Sequence, residues 1–182
     1  MSNRNRAERP AAPPLVLASG SPRRHEYLAL LGAPFRIQAP DVPEEPQPGE
    51  RPTDLALRLS LAKAEAVAAR FPEDLVLAAD TIVVLEGRVL GKPADPAEAV
   101  AMLRALGGRE HVVYTALALV RGRDGLRRRD LAGTPVRMAP YTEEEIARYV
   151  ATGDPLDKAG AYAIQAEGFS PVERFRGCYA NV

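Results

Sequence analysis

An apolar segment that runs into two neighbouring arginines is the first place in this sequence where chemistry is expected. Residues 15–19 read LVLAS, and Gly-Ser-Pro then leads into Arg23 and Arg24. This order is typical of a strand, a tight turn and the first turn of a helix. The free N–H groups and positive dipole end of a helix N-terminus attract anions, and arginine adds bidentate recognition of oxygen atoms. The segment therefore predicts a phosphate-binding turn.

A carboxylate inside a second apolar run is the next such place. Asp80 lies within LVLAADTIVVL, residues 75–85. A buried polar group without a partner costs about 2 to 7 kcal/mol, so something must stabilise this side chain. Either Asp80 accepts hydrogen bonds from nearby backbone N–H groups, or it faces a cleft, where it would hold a metal ion or activate water. The sequence leaves both interpretations open.

Two lysines and a pair of glutamates are weaker candidates. Lys63 borders an apolar helical stripe formed by positions 55, 59, 62, 66 and 69. A lysine there usually extends into solvent, although it could also reach over the helix toward a phosphate. Lys92 lies in a Gly-Lys-Pro sequence after a predicted hairpin, and this spacing is not that of a P-loop. Glu44 and Glu45 lie in a proline-rich loop, where such residues are ordinarily solvated.

The segment DPLDKAGAYAIQ, residues 154–165, is a candidate for base recognition. It combines a turn, the charged pair Asp157 and Lys158, and small residues that allow close packing. The amide of Gln165 can both donate and accept, so it can read the edge of a base. Taken alone, Gln165 is more simply interpreted as a surface residue.

Composition excludes several classes of protein. The 24 basic and 24 acidic side chains cancel, which disfavours a general polyanion binder and predicts no nucleic-acid partner. No apolar stretch is long enough to span a membrane, and residues 1–14 lack the apolar centre of a secretory signal. A single cysteine, Cys178, cannot form an internal disulfide, and two histidines without ligand spacing disfavour a zinc site. We therefore expect a cytoplasmic protein.

Helical and extended patterns must position these residues, and they alternate along the chain. Predicted strands cover residues 15–19, 35–39, 75–85, 89–90, 111–120 and 126–138. Predicted helices cover residues 22–31 and 53–70, and two more begin at capping boxes at residues 95–98 and 142–145. Residues 1–14 are expected to be a disordered leader and residues 15–182 a single domain. Strands interleaved with helices and hairpins predict an α/β fold with a mixed sheet flanked by helices.

Taken in order, these segments resemble the Maf family of nucleoside triphosphate pyrophosphatases. The matching motifs are SGSPRR, VPEE, LSLAKAEA, AADTIVVL with GKP after it, GREHVVYTA and DKAGAYAIQ. The resemblance covers residues 15–182. It implies hydrolysis of a nucleoside triphosphate to the monophosphate and pyrophosphate, in an elongated α/β fold with a cleft between two lobes. It also implies a divalent metal cofactor, Mg²⁺ or Mn²⁺, and a role in cleaning nucleotide pools, modified pyrimidine nucleotides included.

The resemblance assigns roles to individual residues. Those implied to bind the substrate phosphates are Ser19, Arg23, Arg24, Lys63 and Lys92. Asp80 corresponds to the family's proton acceptor, and Glu44 and Asp80 are implied to hold the metal. Those implied to set base preference are Arg23, Thr81 and Gln165, in a combination similar to the subgroup that acts on dTTP and UTP. The sequence departs from the family at Ala166, where glycine is usual, and lacks the family's Gly-Leu-Pro segment and terminal helix.

The expected chemistry agrees with these roles. Arginines, lysines and the metal would neutralise the phosphate oxygens, while a metal-bound water close to Asp80 attacks phosphorus. A 7-methyl-GTP pyrophosphatase is placed second among the assignments. That subgroup lacks the first arginine and the glutamine, both of which this sequence has. A nucleotide-binding regulator of cell division or septum formation is a third, and it would not require Asp80. The apolar helices are also compatible with a homodimer.

Overall fold

One mixed sheet organises the part of the chain that the structure describes. The computed structural model describes residues 14–166 and 168–182, so the predicted leader, apart from Pro14, and Glu167 lie outside it. The strands are β1 (Leu15–Ala18), β2 (Phe35–Ile37), β3 (Leu75–Leu85), β4 (Arg88–Leu90), β5 (Glu110–Arg121), β6 (Leu126–Met138) and β7 (Val172–Phe175). The helices are α1 (Pro22–Ala29), α2 (Pro52–Ala68), α3 (Pro96–Leu106) and α4 (Glu143–Ala151).

Within the described residues these seven strands form one sheet in the order β2-β1-β3-β5-β6-β7, with β4 beside β3. β1 runs parallel to both β2 and β3, whereas β5, β6 and β7 follow in antiparallel pairings. The predicted α/β class with a mixed sheet and flanking helices is therefore confirmed. β7 was not predicted, because VERF is too short and too charged to stand out as a strand.

The two faces of the sheet are covered by different helices. On one face, α2 packs against the side chains that alternate along β3 at Val76, Ala78, Ile82 and Val84. On the other face, Val83 and Leu85 join a core that includes α3 and α4. None of the helices in the described residues has the length and apolar character needed to cross a membrane.

The helix boundaries agree with prediction except at α1 and α2. α1 ends at Ala29, before the predicted residue 31. α2 begins at Pro52 with Arg51 as its N-cap, because proline suits the first helical position, so the notion that Thr53 caps a helix starting there, implied by the predicted range 53–70, is wrong. Thr142 and Glu145 do form the predicted capping box of α4.

The buried face of α2 also differs from the predicted stripe. Leu55 and Leu59 are buried as expected, but Ala69 is exposed. Ser60 and Lys63 are buried instead. Three of the five positions in the predicted stripe are alanines, whose small side chains say little about which side of a helix faces the core, so the stripe did not locate the buried polar residues.

β3 has an opening along one of its edges. β5 pairs along one edge of β3 from Val76 to Val84. Along the other edge, β1 pairs with residues 75–78 and β4 with residues 83–85. Residues 79–82 therefore have no strand beside them on that edge, and Asp80 lies within this stretch, which we call the edge opening.

Candidate active site

The edge opening is filled by the guanidinium group of Arg24. Its Nη1 donates to the carbonyl oxygen of Ala79 at 2.8 Å, and its Nη2 donates to Oγ1 of Thr81 at 3.0 Å. Oγ1 of Thr81 lies 2.8 Å from Oγ1 of Thr115 on β5, so the threonine is held from both sides. The helix that follows β1 thus places a cation beside the central acid of β3. Ligands in α/β folds commonly bind at such carboxyl ends of parallel strands.

The turn between β1 and α1 is closed by Ser19. Ser19 is buried, and its Oγ accepts a hydrogen bond from the backbone N–H of Ser21 at 3.1 Å. The carbonyl oxygen of Ser19 accepts from Nε2 of His25 at 2.9 Å. Ser21 occupies the N-cap position of α1, but its side chain makes no capping hydrogen bond. The first turn of α1 therefore keeps N–H groups for an anion.

An ammonium group between two carboxylates forms the acidic part of the site. Nζ of Lys63 lies 2.6 Å from Oδ1 of Asp80 and 2.7 Å from Oε1 of Glu44. The side chains of Lys63 and Asp80 are 9% and 7% exposed, whereas that of Glu44 is 56% exposed. Lys63 therefore does not extend into solvent, as its position in the helix had indicated, but lies under the site. Asp80 is stabilised by this lysine, which neither of its two sequence interpretations had named.

Burial dominates the electrostatics of this group. Desolvation raises the pKa of Asp80 above its ordinary value, although the charges of Lys63 and Arg24 act in the opposite direction. Burial likewise lowers the pKa of Arg24, opposed mainly by Asp80. Arg24 hydrogen-bonds to Ala79 and Thr81, the two neighbours of Asp80 in β3, so the arginine turn and this acid lie close together.

Arg58 positions the loop that carries Glu44. Its Nε and Nη2 donate to the two carboxylate oxygens of Glu50, at 2.7 and 2.8 Å. Nη2 also donates to the carbonyl oxygen of Glu45 at 3.1 Å. The loop between β2 and α2 is therefore tied to α2, and this places Glu44 over Lys63.

The residues expected to set base preference lie on two sides of α1. Thr81 contacts Arg24, as described above. Nε2 of Gln165 donates to the hydroxyl of Tyr27 on α1 at 3.1 Å, so the segment after α4 approaches this helix. The charge of Arg23 contributes to the lowered pKa of Asp154, although desolvation and the bonds from Lys158 and Tyr149 have larger effects on this carboxyl. α1 thus lies between the acidic group and the segment that ends at Gln165.

Lys92 is the predicted site residue with the least structural support. It is exposed, and it makes no hydrogen bond or ion pair to any other residue that the structure describes. Its neighbour Gly91 accepts a hydrogen bond from the N–H of Gly160 at 2.9 Å, which holds this loop beside the segment 158–165. The role of Lys92 in phosphate binding stays a prediction.

A metal ion would find two carboxylates here. Over residues 14–166 and 168–182 no group of three or more His, Cys, Asp or Glu side chains could hold a metal on its own. Glu44 and Asp80 nevertheless converge on one cationic position, now taken by the ammonium of Lys63. Mg²⁺ often binds one or two carboxylates and completes its shell with water and substrate phosphates. The donor set therefore fits a metal that arrives with a phosphorylated ligand.

A family model described as Maf-like protein matches residues 14–182. The chain belongs to the Maf family. Three relatives extend this assignment, and each is named dTTP/UTP pyrophosphatase. That of Geobacter sulfurreducens is 53% identical over 169 residues, which are 92% of this chain and 88% of the relative. That of Thermomicrobium roseum is 52% identical over 169 residues, covering 92% of this chain and 77% of the relative. That of Symbiobacterium thermophilum is 50% identical over 168 residues, covering 92% and 86%.

Three residues of this Maf site were missed by sequence reasoning. Tyr27 and Thr115 each contact a predicted site residue through a side chain, and Arg58 holds the loop at Glu45, next to Glu44. These contacts join residues that are 13 to 138 positions apart, so no local pattern identified them. Arg58 alone could have been recognised from the sequence. It comes five positions before Lys63 on the same helix and is a second cation near a proposed phosphate site.

Proposed function

We propose that this Maf protein hydrolyses nucleoside triphosphates, with dTTP and UTP as preferred substrates, to the nucleoside monophosphate and pyrophosphate. The observation that carries the proposal is the guanidinium of Arg24 in the edge opening, next to Asp80. A group suited to phosphate and a buried acid suited to proton transfer thus share one site. The names and extensive identity of the three relatives support the same substrates.

The proposed reaction uses the cations and the acid for different tasks. Water attacks the α-phosphorus, the bond from this atom to the bridging oxygen breaks, and pyrophosphate leaves. Ser19, Arg23, Arg24, Lys63 and Lys92 bind phosphate oxygens and stabilise the charge that develops on them.

Asp80 receives the proton of the attacking water. Its Oδ1 is paired with Lys63, while its Oδ2 makes no hydrogen bond to another described residue and is available to that water. A raised pKa makes Asp80 a stronger base than an ordinary aspartate.

A divalent cation completes the proposed site. Mg²⁺ or Mn²⁺ would be held by Glu44 and Asp80, and when bound it would supply charge neutralisation and a more acidic water. Arg23, Thr81 and Gln165 are proposed to select the base. Cytoplasmic location, a homodimeric state and the absence of a nucleic-acid partner remain predictions.

The proposal is tested with Asp80→Asn. Pyrophosphate release from dTTP and UTP is measured with Mg²⁺ and with Mn²⁺, across a panel that includes 7-methyl-GTP and modified pyrimidine triphosphates. Loss of a general base costs typically about 10²- to 10⁴-fold, so we expect a decrease in kcat of that order.

Asp74→Asn is the matched control. Asp74 is also buried, just before β3, and it also pairs with a cationic side chain, in this case Arg36, but it is remote from the edge opening. It should change stability without removing turnover. Near-normal turnover by a folded Asp80→Asn variant would remove Asp80 from the reaction. Binding of nucleotide by the wild-type chain without turnover would instead favour the regulator of cell division.

A further inference from the structure

The hydroxyl of Tyr27 joins the arginine helix to the segment that ends at Gln165. It accepts a hydrogen bond from Nε2 of Gln165 at 3.1 Å, between residues that are 138 positions apart in the chain. Both side chains are exposed, so the amide is open to a ligand. No other side-chain hydrogen bond of Gln165 is made to the described residues.

Tyr27 lies on the same face of α1 as Arg23. The two residues are four positions apart, which places them one helical turn from each other, about 6 Å along the axis. Tyr27 contacts Gln165 through its hydroxyl. This face of α1 therefore carries both Arg23, which is proposed to select the base, and the tyrosine that contacts Gln165.

We infer that Tyr27 is a positioning residue for recognition of the base. The inference rests on the proposed function, because it assigns to Tyr27 the task of holding the amide of Gln165 against the pyrimidine of dTTP or UTP. The amide has two N–H donors and one carbonyl acceptor. With one N–H engaged by Tyr27, the other N–H and Oε1 remain for the ligand. Uracil and thymine present an N–H beside a carbonyl oxygen, which is the complementary pair.

The size of the effect follows from the exposure of this contact. A neutral hydrogen bond changes an equilibrium by about 2- to 10-fold. Because the hydroxyl of Tyr27 makes no hydrogen bond to Asp80 or to the residues proposed to bind phosphate among the described residues, it should affect binding and not the chemical step. An interaction made equally in the ground state and the transition state changes KM and leaves kcat unchanged.

Tyr27→Phe tests the inference, since it removes the hydroxyl and keeps the ring. We expect KM for dTTP and UTP to rise about 2- to 10-fold with kcat unchanged. Inhibition by inorganic pyrophosphate, which carries no base, should be unaffected. In a Gln165→Ala background, Tyr27→Phe should have no further effect. Tyr179→Phe is the matched control, because Tyr179 is also exposed and its hydroxyl makes no hydrogen bond to another described residue.

Three results would overturn the inference. They are a fall in kcat with KM unchanged, an equal weakening of pyrophosphate inhibition, and a full Tyr27→Phe effect in the Gln165→Ala background. If the wild-type chain releases no pyrophosphate from dTTP or UTP, the proposed function fails separately. The same variants are then compared by calorimetric binding of UTP, where loss of affinity in Tyr27→Phe supports the positioning role and unchanged affinity refutes it.

Discussion

The pairing of Lys63 with Asp80 makes a quantitative prediction for Lys63→Met. Methionine has nearly the same length and keeps the packing of the side chain under the sheet, but it removes the ammonium group. Asp80, which is 7% exposed, then has a buried charge without its partner. Glu44, which is 56% exposed, can turn into solvent instead.

The magnitude follows from this difference in burial. Removing one partner of a buried ion pair costs about 3 to 5 kcal/mol, because the remaining charge stays desolvated. Asp80 also lies near Arg24, which compensates part of the loss, so we expect Lys63→Met to lower the free energy of unfolding by about 3 kcal/mol. Glu44→Gln breaks only a partly solvated pair and should cost less than about 1 kcal/mol.

Urea unfolding at neutral pH measures these differences. The chain has no tryptophan, so far-UV circular dichroism is the suitable signal. The double variant Lys63→Met with Asp80→Asn should recover most of the lost stability, since it removes the unpaired charge. Lys92→Met is the control, because Lys92 is exposed, and it should change stability by less than about 0.5 kcal/mol.

The reasoning is refuted if Lys63→Met is as stable as the wild type within about 0.5 kcal/mol. It is equally refuted if the double variant is no more stable than Lys63→Met. The first result would mean that Asp80 is solvated in solution, and the second that Lys63 contributes packing and not charge.

Two further predictions concern the region around the segment 158–165. Burial lowers the pKa of His111 to about 4. Between pH 4 and the ordinary histidine pKa of 6.5, the unfolded chain therefore binds more protons than the folded chain. The stability from His111 is complete above this window and should fall by about 2 kcal/mol between pH 7 and pH 5 in urea titrations. His111→Gln should remove this dependence and His25→Gln should keep it, and the reverse pattern would contradict the assignment. In thermal unfolding, Gly160→Ala should destabilise the protein more than Gly153→Ala does, by about 1 kcal/mol or more. Both glycines have a positive φ, but only at Gly160 would an added Cβ meet Val83, at 3.0 Å. Equal effects would show that Val83 moves away.

Much of the sheet could be predicted because its strands carry strong local patterns. β3 is a continuous apolar run broken by one acid, and β5 and β6 are long segments separated by a turn. The capping box at Thr142 and Glu145 marked the start of α4 in the same direct way. Such signals depend on nearest neighbours in the chain, and tertiary contacts did not overturn them.

The orientation of α2 could not be predicted, and the reason is physical. Five of its ten apolar residues are alanines, which gain little free energy from burial on either side of a helix. The buried face also contains Lys63, whose ion pair with Asp80 joins α2 to a strand that follows it in the chain. The apolar stripe of α2 alone placed Lys63 at the border of the buried face, whereas in the structure Lys63 is buried.

Sequence analysis proposed residues for the candidate site but did not predict the contacts that they make. Arg24 and Asp80 do lie together, as two breaks in apolar patterns indicated. The contacts of Tyr27, Thr115 and Arg58 depend on how the helix after β1 and the proline-rich loop fold back over the sheet, and no residue spacing encodes this.

The stretch of β3 from Ala79 to Ile82 has a consequence for solubility. A strand with free N–H and C=O groups along its edge can pair with a strand of another molecule and begin aggregation. Here the guanidinium of Arg24 occupies the Ala79 carbonyl and screens that edge with charge. The side chain proposed to hold a phosphate therefore also keeps the central strand from joining its copies, and loss of this arginine would expose the protein to self-association as well as to loss of its ligand.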